Sequence, residues 1–174
     1  MYGKILFVVA VCAIGVLGEA NKTRKCNIPP TAPKRIEKVI NQCQDEIKVA
    51  ILAEALQAAS VINSNKRSKR ETFTAEEKRI AGCLLHCVYR KMKAVNDKGF
   101  PTVEGLVSLY TEGIEDKEYI LATLQSVNVC LAKAQKEFIT TPQSLEVQGK
   151  TCEIAYDVFD CVSEKIGEYC GQTP

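Results

Sequence analysis

Apolar residues recur at intervals of three and four along most of the chain after residue 32, which is the spacing of one α-helical face. The first series predicts a helix from about Pro33 to about Ala59, with Cys43 on its apolar side. Residues 61–71 interrupt the pattern with polar and basic side chains, so they predict an exposed loop. No stretch shows the sustained alternation of a β-strand, and the pattern therefore predicts an all-α fold.

Two further helices have clear start signals. Thr74 followed by Glu77 predicts a capping box, in which each side chain bonds the backbone N–H of the other residue. The helix that starts there is predicted to stop near Asn96. Thr102 is a suitable N-cap for a short helix over residues 103–112. These signals predict two helices joined by a polar turn that contains glycine and proline.

The carboxyl-terminal part of the chain predicts two longer helices. Asp116 is suited to cap the first of them, and Pro142 breaks the chain after it. The second is predicted over Lys150–Ile166, with Gly167 as the residue that ends it. The whole pattern predicts a single domain, residues 33–174, in which five or six helices pack through their apolar faces.

Residues 1–20 have the parts of a secretory signal peptide. The apolar run Ile5–Leu17 follows one basic residue and is too short to span a bilayer as a helix. Two small residues, Gly18 and Ala20, occupy the positions before the expected cleavage. The sequence therefore predicts a secreted, extracellular protein whose mature chain starts with an extended arm over residues 21–32.

Cysteine is the unusual residue in the composition. The chain has nine cysteines, and one of them, Cys12, lies in the predicted signal peptide, which leaves an even number in the mature chain. An even number in a secreted protein indicates disulfides throughout, but the number alone leaves their pairing open. The cysteines form no C-x-x-C pair, and His86 is the only histidine, so we expect no metal site.

The composition also argues against several classes of function. The formal net charge of +2 is too small for a typical nucleic-acid-binding protein. A catalytic triad would depend on His86, and a thiolate nucleophile would need a free cysteine, which four disulfides do not leave. The sequence has neither a glycine-rich phosphate loop nor a nucleophile elbow. We therefore expect no enzymatic activity and no cofactor.

Six of the cysteines have a distinctive order and spacing. The order is Cys43, Cys83-LLH-Cys87, Cys130 and Cys152-EIAYDVFD-Cys161. Three residues separate the second cysteine from the third, and eight residues separate the fifth from the sixth. In a helical chain with a signal peptide, this spacing resembles the insect odorant-binding proteins, a family that includes the pheromone-binding proteins.

The resemblance implies a disulfide pattern, in which the first cysteine pairs with the third, the second with the fifth and the fourth with the sixth. In this chain the implied pairs are Cys43–Cys87, Cys83–Cys152 and Cys130–Cys161. Cys26 and Cys170 lie outside the six-cysteine pattern, and they remain for a fourth bridge between the arm and the carboxyl-terminal tail.

The resemblance also implies a carrier, which binds a small apolar organic molecule such as an odorant or pheromone in a cavity between the helices. Olfaction is the expected setting, and a membrane receptor is a candidate protein partner. The candidate lining residues are large apolar side chains of the predicted helices and one tyrosine, whose hydroxyl could hydrogen-bond the ligand. They are Ile80, Leu84, Val88, Leu106, Tyr110, Leu121, Leu124, Phe138, Val158 and Phe159.

Two other functions were weighed for a secreted, disulfide-bonded chain, and the first of them is a signalling precursor. The segment Arg67-Ser68-Lys69-Arg70 has the form of a paired-basic processing site, which permits a signalling precursor that is cut after Arg70. A saposin-like lipid-binding domain is less compatible, because its six cysteines lie within a much shorter segment than residues 26–170.

Overall fold

The computed structural model describes residues 25–27, 33–59 and 74–171. In the first helix it describes side chains only as far as Leu52. Within these ranges the chain forms five α-helices, one short 3-10 helix and no strand, which confirms the predicted all-α class. The α-helices are α1 (Lys34–Ala59), α2 (Ala75–Lys91), α3 (Val103–Tyr110), α4 (Lys117–Phe138) and α5 (Lys150–Cys170). The predicted signal peptide, most of the arm and the predicted loop over 61–71 lie outside the described residues.

Local sequence signals start three of the helices as predicted. The Thr74 hydroxyl accepts the Glu77 backbone N–H at 3.2 Å, and the Glu77 carboxylate accepts the Thr74 N–H at 2.7 Å, which completes the capping box of α2. Thr102 accepts the Gly105 N–H at the start of α3. Asp116 accepts two backbone N–H groups in the first turn of α4. Each cap satisfies backbone donors that the helix itself leaves free.

The end of α2 corrects the prediction, because the helix stops at Lys91 and not near Asn96. Lys93 adopts a left-handed conformation with φ 57°, and the Ala94 N–H bonds back to the Tyr89 carbonyl at 2.7 Å. This arrangement is a Schellman motif, which closes a helix at its carboxyl end. The glycine that usually indicates this motif is absent here. The helical spacing of apolar residues continues beyond Lys91, so it did not show where α2 ends.

The end of α5 is a second correction. Gly167 is buried inside the helix, which continues to Cys170 and ends at Gly171 with a left-handed φ of 74°. Cys170 forms a disulfide with Cys26, and its carbonyl accepts the Lys25 N–H at 3.1 Å. These tertiary contacts hold the last helical turn of α5. Gly167 had predicted an earlier end, because glycine often follows the last residue of a helix.

Helix α5 lies at the centre of the described fold, because it packs against both α2 and α4, while α1 packs against α2 and α3 against α4. The contact between α2 and α5 is close at Gly82. A side-chain carbon at this position would lie 2.2 Å from the Cys152 carbonyl oxygen and 3.2 Å from the Tyr156 Cβ. The absence of a side chain at Gly82 therefore allows the two helix backbones to approach.

The core lies along the contacts of α5 with its neighbours. All five α-helices contribute buried residues, and the largest of the fully buried side chains are Tyr89, Leu106, Val127, Ile154, Val158 and Val162. Only uncharged residues are buried in the part of the chain that the structure describes.

The structure joins the eight cysteines of the predicted mature chain in four pairs. Three of them are the pairs that the resemblance implied, and the fourth is the remaining pair. They are Cys43–Cys87, Cys83–Cys152, Cys130–Cys161 and Cys26–Cys170. The first three connect α1 to α2, α2 to α5 and α4 to α5. The disulfides therefore connect the same helices that pack together.

Candidate functional site

The ten candidate lining residues occupy three different environments. Val88, Leu106 and Val158 are buried in the core, whereas Ile80, Leu84, Tyr110 and Phe138 are half-buried. Leu121, Leu124 and Phe159 keep 42%, 42% and 39% of their surface exposed. The structure thus supplies interior positions for part of the set and does not gather all ten around one cavity.

Leu121 and Leu124 lie outside the buried face of α4. The buried face of this helix runs through Tyr119, Thr123 and Val127, at the spacing of one helical stripe. Leu121 and Leu124 lie away from that stripe. The packed face of α4 carries hydroxyl-bearing side chains, on Tyr119, Thr123 and Ser126, beside apolar ones.

A cluster of tyrosines lies beside this face, and sequence analysis identified one of its members. Tyr89 of α2 is 1% exposed, and its hydroxyl oxygen lies 3.2 Å from that of Tyr110 at the end of α3. Tyr119 in the first turn of α4 is 5% exposed. The sequence could have indicated Tyr119, because this residue lies four positions before Thr123 and eight before Val127 and so shares their helical face.

Burial keeps the phenols protonated. It raises the pKa of Tyr89 to about 12, with the Tyr110 hydroxyl as a smaller opposing influence. Burial also raises the pKa of Tyr110 well above its ordinary value, and the proximity of Tyr89 and Tyr119 adds to the rise. Burial raises the pKa of Tyr119 as well. At neutral pH the cluster therefore presents neutral hydroxyls, which both donate and accept hydrogen bonds.

Thr123 is the buried hydroxyl next to this cluster. Its side chain is 0% exposed, and its hydroxyl is close enough to Tyr119 to oppose the rise in the pKa of that phenol. Thr123 Oγ1 nevertheless has no hydrogen-bond partner of good geometry among the described residues. Buried hydroxyls in proteins are generally hydrogen-bonded, and the Tyr119 side chain is the neighbour that interacts with this one.

Thr123, Tyr119, Tyr110 and Tyr89 are called the hydroxyl cluster below. Its chemistry suits hydrogen bonding better than covalent catalysis, because hydroxyls with raised pKa values are weak nucleophiles without a neighbouring base. The only imidazole, on His86, lies next to Gly99.

Among the clefts in the described part of the chain, two open at the surface with linings that differ from an apolar cavity. The first, of about 440 Å³, lies between the amino-terminal ends of α2 and α5 and has Lys78, Lys150 and Asp157 among its residues. The second, of about 350 Å³, lies between α4 and α5 and includes several carboxylates. Phe138 is the one candidate residue that lines either of these two clefts.

None of the helices in the described ranges combines the length and the apolar character that crossing a membrane demands. Residues 25–27, 33–59 and 74–171 also contain no group of three or more His, Cys, Asp or Glu residues placed to hold a metal ion.

Comparison with known proteins agrees with the six-cysteine order. The model of the PBP/GOBP family matches residues 25–165, which include all five α-helices in whole or in large part. General odorant-binding protein 70 of Anopheles gambiae is 36% identical over 173 residues, a match that covers 92% of this chain and 86% of the relative. No solved structure gives a significant match. The chain therefore belongs to the PBP/GOBP family of insect odorant-binding proteins.

Proposed function

We propose that this protein is a secreted carrier that binds one small apolar organic molecule inside its helical domain. Family membership over residues 25–165 is the observation that carries the proposal. The relative from Anopheles gambiae is named a general odorant-binding protein, and an odorant is a molecule of this chemical class.

The described helices support the proposal in two ways. Disulfides hold α1, α2, α4 and α5 together, so part of the interior can remain open to a ligand without loss of the fold. The interior also combines apolar side chains such as Val158 and Leu106 with a few neutral hydroxyls. Such a combination is typical of small-molecule sites, in which a few polar groups orient an apolar ligand.

The expected affinity follows from the size of the ligand. Burial of roughly 300 Å² of apolar surface is favourable by about 7 kcal/mol before the cost of ordering the ligand. A net gain of this size corresponds to a dissociation constant of about 10 μM, so affinities on the micromolar scale or weaker are expected.

Displacement of a fluorescent probe tests the proposal on the oxidised mature protein. We expect N-phenylnaphthylamine to bind with increased fluorescence, and long-chain alcohols, aldehydes, esters or fatty acids to displace it. Val158→Phe, which enlarges a buried side chain, should weaken probe binding. Leu124→Trp, which enlarges an exposed side chain, is the matched control and should leave it unchanged. Absence of probe binding, together with no ligand-induced rise in melting temperature, would refute the carrier function.

Mass spectrometry of the secreted protein separates the carrier from the signalling precursor. Residues 67–70 lie outside the described part of the chain. We expect a mature chain that starts at Asn21 and remains one polypeptide after reduction. Two fragments divided after Arg70 would favour the precursor, and the Cys43–Cys87 bridge would hold them together before reduction.

A further inference from the structure

We propose that residues 25–27 act as a strap, which closes the end of the helical domain where α4 begins and α5 ends and so prevents ligand from exchanging through that end. Residues 116–122 and 166–170 are called the α4–α5 end below. The inference rests on the proposed carrier function, and it gives a role to the two cysteines outside the six-cysteine pattern, Cys26 and Cys170.

The three disulfides of the six-cysteine pattern lie away from the α4–α5 end. Only Cys130–Cys161 joins α4 to α5, and the other two bridges lie on α1, on α2 and in the first turn of α5. With a rise of about 1.5 Å per residue, Lys117 lies roughly 20 Å from Cys130 along α4, and Cys170 lies roughly 14 Å from Cys161 along α5. The six-cysteine pattern therefore places no covalent link at this end.

The strap is fastened to the last turn of α5 by three contacts. Cys26 forms the disulfide with Cys170, and both cysteines are buried. The Lys25 backbone N–H donates to the Cys170 carbonyl at 3.1 Å. The Lys25 ammonium lies 5.5 Å from the centre of the Tyr169 ring, which is within the range of a cation–π interaction. The end of α5 is thus held both covalently and by packing.

Asp116 fastens the strap to the start of α4. Its Oδ2 accepts the Asn27 N–H at 3.1 Å, while its Oδ1 accepts the N–H groups of Glu118 and Tyr119 at 2.9 and 3.1 Å. The bond from Asn27, followed by that from Tyr119, lowers the pKa of Asp116, so this carboxylate is ionised at neutral pH. One side chain therefore caps α4 and holds the strap.

The two segments that the strap joins contribute to the interior. Tyr119 of the hydroxyl cluster, Ala122 and Ile166 are buried there. The Tyr169 hydroxyl donates to the Glu118 carboxylate at 2.9 Å, which is the one further polar link printed by the geometry between these helix ends. Helix ends without cross-links open locally at little cost in free energy. Release of the strap should consequently open the α4–α5 end and give ligand a route that the intact protein lacks.

Hydrogen exchange on the full mature protein without ligand tests the closure. In Cys26→Ala with Cys170→Ala, we expect exchange in residues 117–122 and 166–170 to be at least about tenfold faster, because these turns lose their link. Exchange in α2, which is held by two other bridges, should stay within about twofold of its original rate.

Stopped-flow binding and release of N-phenylnaphthylamine test the effect on ligand exchange. A strap that only restricts passage alters the rates of binding and release by the same factor, whereas damage to the site weakens affinity mainly through faster release. We expect both rates to rise at least about threefold in the double-cysteine variant, with the dissociation constant within about twofold of its original value.

Asp116→Asn separates the cap from the strap. Asparagine is as good an N-cap as aspartate, but it has a single acceptor oxygen and cannot serve both α4 and Asn27. We expect this variant to accelerate probe exchange in the same direction but less than loss of the disulfide. Asp45→Asn, at an exposed position on α1, is the matched control and should leave the exchange of probe unchanged.

The outcomes separate this inference from the carrier function. If the α4–α5 end keeps its protection in the double-cysteine variant, the strap does not hold this end and the inference is wrong, even though the probe binds. Loss of protection with unchanged rates of probe exchange also overturns it, because ligand would then not pass through the opened end. If the probe fails to bind the unmodified protein, the carrier function falls and the role in ligand exchange falls with it.

Discussion

Helices α1 and α5 are both long and amphipathic, but the fold surrounds them differently. α5 packs against α2 and α4, is joined to each by a disulfide, and has seven buried residues. α1 packs against α2 and is joined to it by Cys43–Cys87. Among its described side chains only Ile36 and Cys43 are buried, and Leu52 is 63% exposed. An apolar stripe therefore shows which face of a helix can be covered, whereas its neighbours determine how fully it is covered.

Removal of disulfides should give the largest effect and the sharpest contrast. The bridges Cys43–Cys87 and Cys130–Cys161 span 44 and 31 residues, so the chain-entropy model predicts a loss of about 4 kcal/mol in unfolding free energy for each. We expect Cys43→Ala with Cys87→Ala to lose hydrogen-exchange protection mainly in α1. We expect Cys130→Ala with Cys161→Ala to lose it in both α4 and α5.

Urea unfolding combined with peptide-level hydrogen exchange measures both quantities. If α1 kept its protection after loss of Cys43–Cys87, contacts other than the bridge would hold this helix, and the contrast between α1 and α5 would be smaller than the structure indicates.

Gly82→Ala tests the close approach of α2 and α5. Alanine favours a helix by about 1 kcal/mol over glycine. Its Cβ would nevertheless lie 2.2 Å from the Cys152 carbonyl, and displacement of the helix backbone should outweigh this gain. We expect a net loss of about 2–3 kcal/mol in unfolding free energy, measured by urea denaturation. Ala132→Leu on the exposed side of α4 is the control, with a change within about 0.5 kcal/mol. An increase in stability for Gly82→Ala would contradict the close packing.

A matched pair of valine substitutions compares the two helices directly. Val158 in α5 is 1% exposed, and Val49 in α1 is 67% exposed. Val158→Ala should lower the unfolding free energy by about 2 kcal/mol, because it removes buried methyl groups and leaves a cavity. Val49→Ala should change it by no more than about 0.5 kcal/mol, since alanine also has the higher helix propensity. Similar losses for both variants would show that the α1 face is covered in solution.

The smallest expected effect is a pH dependence at His86, which lies on α2 next to Gly99. Burial, aided by the positive charge of Arg90, lowers its pKa below 6.5, so the unfolded chain binds the proton more readily. Its contribution to stability is therefore complete above pH 6.5 and declines as the pH falls toward the lower folded value.

Urea midpoints measured from about pH 7.5 down to about pH 5.5 check this sign, because imidazole titrates in this interval. His86→Gln should reduce the fall in the midpoint over the same range. An equal fall in His86→Gln would assign the pH dependence to other groups.

Local chemistry made the helix starts predictable. Thr74, Thr102 and Asp116 cap their helices through hydrogen bonds that span two or three residues, and such bonds depend little on distant parts of the chain. The helix ends were less accessible. A lysine, Lys93, adopts the left-handed conformation that usually indicates glycine, while a real glycine, Gly167, stays inside α5.

The site was predictable only in part, for a related reason. Apolar character on the predicted helices led to three candidates that are interior residues, Val88, Leu106 and Val158, because large apolar side chains of amphipathic helices are buried in most arrangements. It could not identify Thr123, whose burial depends on the angle at which α4 packs in the fold. It also placed Leu121 and Leu124 in the interior, although their face of α4 remains exposed.

The sequence by itself determined the all-α class, the helix starts and, through cysteine spacing, the family of this protein. These properties depend on short-range hydrogen bonds, on the period of the helix and on covalent positions along the chain. The tertiary structure decided the continuation of α5 to Cys170, the close contact at Gly82, and the meeting of Tyr89, Tyr110 and Tyr119 near Thr123. Those features require residues far apart in the chain to come together, and only the packing angles and offsets of whole helices set such distances.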